Sequence, residues 1–136
     1  MLSRLGSEDE LLEESQWIAA MISCWLDEEW PAAELVEVHA SLGAAAGQAY
    51  FRLRQPEGGQ EGIKEMGDLV LALAGELMTF DFWPTFTDAF SVSNKACEFL
   101  MLRQGCAVCC TSESDKTAIA RYEAQLQQRP QTRDAV

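Results

Sequence analysis

The sequence predicts an all-α protein: an up-down-up-down four-helix bundle followed by a shorter fifth, C-terminal helix. Three observations predict it. Apolar residues recur at three- and four-residue steps through four segments of about 20 residues. "PEGGQEG" and two Trp-Pro junctions punctuate those segments. No stretch alternates with period two for long enough to form a sheet.

The first helix opens on a capping box, Ser7 with Glu10 three residues on. The hydroxyl can accept from a free amide there while the carboxylate reaches back. Leu11, Ile18, Ile22 and Trp25 follow on one stripe, and Trp30-Pro31 ends the run because proline disfavours α geometry in the residue before it. Pro31 suits the first turn of a second helix, about 31–54, with Leu35, Val38, Leu42, Ala45, Ala49 and Leu53 inward. A third helix is expected with Ile63, Met66, Val70, Leu73 and Leu77 on its apolar face, ending in "FDFWP". The fourth, about 84–104, presents Phe86, Phe90, Ser93, Cys97 and Leu100 until Gly105 stops it. "SESDKTAIARYEAQLQQ" then reads as a shorter, polar fifth helix with a thin stripe of Ile119, Tyr122 and Leu126. Residues 1–128 form one helical-bundle domain, and 129–136, "RPQTRDAV", a flexible tail.

Charge narrows the function classes. The net charge is −12, which argues against nucleic acid and against an anionic membrane surface, since both require clustered Lys and Arg. Residues 1–37 hold ten acids against one base, Arg4, whereas the segment from Lys116 onward is mostly basic. That asymmetry suits a basic partner, or a basic tail helix lying across an acidic one. No apolar run is long enough to span a bilayer, and the start lacks an apolar signal region. With five cysteines, the expected location is the cytoplasm or a reducing organelle matrix, with free thiols.

Catalytic and metal chemistry find little support. Di-iron bundles need Glu-x-x-His pairs, and the one histidine, His39, has Val36 three residues before it. His39 reads instead as a boundary residue bonded to a carboxylate or water. No catalytic residue, metal or cofactor is expected. "GAAAGQA", Gly43 to Ala49, falls within a helix whose amides are already bonded, so it is no phosphate loop. Its small residues allow a neighbouring helix to approach closely, within the bundle or, alternatively, across a homodimer.

Two features remain. In an up-down-up-down bundle the first and third turns share an end, gathering Asp27, Glu28, Glu29 and Trp30 with Asp81, Phe82 and Trp83. Turn aromatics framed by acids suit a protein partner that carries Arg or Lys, and an accessory or assembly protein acting through this end is the leading reading. The alternative is a thiol-redox switch at Cys106-x-x-Cys109 with Cys110 as the resolving or competing thiol. The start of a helix and nearby Arg103 and Lys116 favour thiolate there, while Glu113 and Asp115 oppose it.

Overall fold

The computed structural model describes residues 7–55, 65–103 and 113–128. They form a five-helix, all-α bundle: α1 (Ser7–Glu29), α2 (Val36–Arg54), α3 (Met66–Leu77), α4 (Ala89–Arg103) and α5 (Glu113–Gln128), with no strand among the described residues. The Ser7 side chain of the capping box, Ile63, the Cys106–Cys110 turn and the 129–136 tail lie outside the described residues.

The core follows from the helical stripes. Ile18, Met21, Ile22 and Leu26 of α1 meet Leu42, Ala46 and Ala49 of α2, Leu69, Leu73 and Leu77 of α3, and Val92, Ala96, Phe99 and Leu100 of α4. The closest pairing is α1 against α2. A Cβ on Gly43 would come within 2.5 Å of the Ala19 carbonyl oxygen, and one on Gly47 within 2.5 Å of that of Ser15. The small-residue face is therefore occupied by α1, and backbone meets backbone there. Ser15 and Ser93 are buried polar groups, and each hydroxyl donates to a carbonyl, of Leu12 (2.8 Å) and Val70 (2.6 Å).

Three boundaries differ from expectation. α2 does not begin at Pro31: Ala32 is extended (φ −146°, ψ 129°), and a 3-10 turn at Ala33–Leu35 leads into α2. Ala32 offers no side-chain cap, and the tighter turn serves as the helix entry. α3 stops at Leu77, well short of "FDFWP". The Met78 and Phe80 amides fold back onto the Ala74 and Leu77 carbonyls, at 3.1 and 2.9 Å, and Phe80 and Phe82 pack against the core. α4 begins at Ala89, because Asp88 caps it: its carboxylate accepts from the Ser91 amide at 2.8 Å and the Ser91 hydroxyl at 3.2 Å. Phe86 thus precedes the helix, and Phe86 and Phe90 are exposed rather than part of the core stripe, which runs through Val92, Ser93, Ala96, Cys97, Phe99 and Leu100.

α5 lies against α1 and α4. Tyr122 is buried with its ring edge-on to Phe99, at 6.4 Å between centroids, and Ala118 is buried beside it, while Ile119 and Leu126 are half-buried. Its remaining ties are polar. The Trp17 indole donates to Glu123 at 2.8 Å, the Tyr122 hydroxyl donates to Glu28 at 2.6 Å, and Arg121 pairs with the same Glu28 carboxylate. α5 does lie against the acidic α1, but with Lys116 and Arg121 against Glu113, Asp115 and Glu123 it is not itself a basic helix.

Candidate interaction surface

The end of α1 and the segment after α3 come together through aromatic rings. Trp30 packs edge-on to Trp25 at 5.9 Å and stacks on Phe86 at 6.5 Å. Trp83 sits three residues before Phe86, in a turn closed by the Thr85 amide on the Phe82 carbonyl at 2.9 Å. Asp81 shapes that turn by accepting from the Trp83 amide at 3.0 Å. Trp83 is consequently held outward and is 91% exposed; Phe86 and Phe90, three and seven residues further on, are 71% and 55% exposed. Phe82 is half-buried and edge-on to Phe80 at 5.2 Å.

The acids at this end divide into two sets. Asp27 accepts from His39 Nδ1 at 2.8 Å, and Glu28 is engaged by Tyr122 and Arg121, so both serve contacts within the chain. The Tyr122 hydroxyl, and then Arg121, hold the Glu28 carboxyl below the ordinary carboxylate range, with burial opposing them. Glu29 and Asp81 are exposed. Sequence reasoning grouped all four as one acidic frame, since charge runs alone do not show which acids have distant partners. It also passed over Phe90, which helical spacing had assigned to the core.

The other chemistry-bearing residues are buried. His39 is 1% exposed, and its carboxylate partner is Asp27. Cys24 and Cys97 are buried thiols not joined in a disulfide, and desolvation by burial, followed by Glu98, pushes Cys97 up to about 12, far from a reactive thiolate. Tyr50 is buried and donates to Glu14 at 2.5 Å while accepting from Arg54 at 2.9 Å. No local sequence pattern signals that contact. Among the described residues no group of three or more His, Cys, Asp or Glu is arranged to hold a metal ion. Among the same residues no helix is long and apolar enough to cross a membrane.

Residues 3–104 match the family model described as Domain of unknown function (DUF8822). The chain belongs to that family. Neither the curated proteins nor the solved structures yielded a match. The matched span contains α1 to α4 and the aromatic end, whereas α5 lies beyond it.

Proposed function

We propose that this member of the family is a non-enzymatic accessory or assembly protein that acts through protein–protein contact at its aromatic end. The observation that carries the reading is the exposure of three rings within eight residues: Trp83 at 91%, with Phe86 and Phe90 also exposed. A chain that buries its other large aromatics at least partly has little internal reason to hold three rings in solvent. Burying such rings against a partner is the usual source of interface affinity. Glu29 and Asp81 flank the rings, and with the net charge of −12 they favour a partner presenting Arg or Lys against the ring faces. A reducing compartment suits the buried thiols Cys24 and Cys97, neither of which is in a disulfide.

The test is affinity capture with wild type beside Trp83→Ala and Asp81→Asn, each first shown to retain the wild-type melting temperature. Capture is expected to fall for both variants and to weaken as salt is raised. Unchanged capture by both folded variants would overturn the reading. Running the same capture under reducing and oxidising conditions tests the thiol-switch alternative at Cys106, Cys109 and Cys110, which rests on the sequence.

A further inference from the structure

We infer that the outward face of α3 is a docking surface for an amphipathic helix of another protein, one that carries Lys or Arg beside its apolar stripe. α3 buries Leu69, Leu73 and Leu77 at four-residue steps. The side turned away from the core repeats that step with Gly67, Leu71 and Gly75, and Met78 follows just past the helix end. Leu71 is 68% and Met78 74% exposed. A helix whose outer side meets only water ordinarily carries polar residues there. α3 instead shows an apolar stripe on both sides, and an unbranched thioether such as Met78 adapts readily to a partner's shape.

The glycines indicate the form of the occupant. At Gly43 and Gly47 of α2 the missing side chain lets α1 bring its backbone into contact, and an added Cβ would meet a carbonyl. On α3 a Cβ at Gly67 or Gly75 would meet nothing within 4 Å, so the chain itself makes no use of the space. Gly67 and Gly75 lie one turn to either side of Leu71 and leave a hollow on each side of it. A ridge between two hollows is the relief into which the side chains of a second helix interdigitate.

Charge indicates which helix. Residues 65–94 hold five acids, Glu65, Asp68, Glu76, Asp81 and Asp88, and no Lys or Arg. Glu76 is taken by Arg52, whereas Glu65 and Asp68 are exposed and have no ion pair among the described residues. Asp68 stands one turn before Leu71, at the edge of the stripe. A second copy of α3 would bring the same acids and no base, so like charges oppose self-pairing on this face, while a basic helix is drawn to it.

This surface does not rest on Trp83. The probe is a labelled synthetic helix of Leu, Ala and Lys, with Leu on one face and Lys on its flanks. Its control is a peptide of the same composition in scrambled order, which has the charge without the face. Binding to the full chain is followed by fluorescence anisotropy. Wild type is expected to bind the amphipathic peptide about ten-fold or more tighter than the scrambled one, through burial of the Leu71 and Met78 side chains. Leu71→Ser combined with Met78→Ser should erase that difference without lowering the melting temperature, since both side chains are exposed. Gly75→Gln should weaken binding by filling a hollow, and Asp68→Asn should weaken it and flatten its salt dependence. Trp83→Ala should leave the difference intact. Equal binding of the two peptides to wild type, or an undiminished difference in the Leu71→Ser, Met78→Ser variant, would overturn the inference. A difference lost in Trp83→Ala alone would also overturn it, since the peptide would then sit on the exposed rings.

Discussion

His39 Nδ1 lies 2.8 Å from Asp27 Oδ1 across the junction of α1 and α2, in a ring that is 1% exposed. With the carboxylate as acceptor, Nδ1 carries the proton. Nε2 is then left buried, with no hydrogen-bond partner among the described residues. The pair holds the start of α2 against the end of α1, yet half of the imidazole's polar capacity is already unmet.

Removing Asp27 therefore costs more than one hydrogen bond. Asp27→Ala is expected to destabilise the chain by about 1–3 kcal/mol, because His39 then has two buried nitrogens without partners. Replacing both residues, Asp27→Ala with His39→Leu, should cost less than the sum of the two single changes. Urea denaturation of the four proteins of this double-mutant cycle measures the coupling. Simple additivity would show that the pair contributes nothing as a pair.

The glycines give opposite signs. In a helix interior alanine ordinarily outranks glycine by about 0.5–1 kcal/mol. Gly75→Ala should show that gain, since its Cβ would meet nothing within 4 Å. Gly43→Ala and Gly47→Ala should instead destabilise by about 1–3 kcal/mol, as each added methyl runs into a backbone carbonyl of α1 that cannot turn aside. The same denaturation experiment separates the two outcomes.

Both tyrosines of the chain, Tyr50 and Tyr122, are buried, and each donates its hydroxyl to a glutamate. Burial first, and the neighbouring Glu14 or Glu28 second, raise both phenols well above the ordinary value of 10.0. A raised folded value means that the folded chain holds these protons more tightly than the unfolded one. Their contribution to stability is complete below the ordinary phenol value and is lost as pH rises toward the folded values. Tyrosinate absorbance should accordingly stay flat past the ordinary range and then rise together with loss of helicity. Titration of either phenol near its ordinary value, with helicity intact, would contradict the contacts.

The thiols should divide by accessibility. Cys24 and Cys97 are buried, and Cys97 is pushed up to about 12, so neither should react with iodoacetamide at mildly alkaline pH while the chain is folded. Mass spectrometry of peptides labelled before and after addition of denaturant checks this. Labelling of Cys97 in the folded protein would place it outside the core.

The helices were legible because burial of one face imposes a period, and the period is written in the residues themselves. Leu42, Ala49, Leu73 and Leu77 all lie in the core as their spacing implies. The segment from Met78 to Asp88 was not legible in that way. Phe86 and Phe90 fit a helical spacing, but the Asp88 cap decides where α4 begins and leaves both rings in solvent. The polar contacts were less legible still. Glu28 and Tyr122 stand 94 residues apart and Glu14 and Tyr50 stand 36 apart, and no local pattern encodes such pairings. The acidic frame read from the sequence therefore included Asp27 and Glu28, whose carboxylates bond to distant side chains, and Asp81, which caps its own turn.

The seam between α1 and α2 has a consequence for how this chain can drift over generations. At most core positions one aliphatic residue can replace another if its volume is similar. Where Gly43 meets Ala19 and Gly47 meets Ser15, there is no volume to trade, because main chain touches main chain. Descendants of this sequence can vary freely at Ala44 and Gln48, the exposed residues next to those glycines. At 43 and 47 any heavier residue forces the two helices apart, and only chains that re-space the whole pair could accept it.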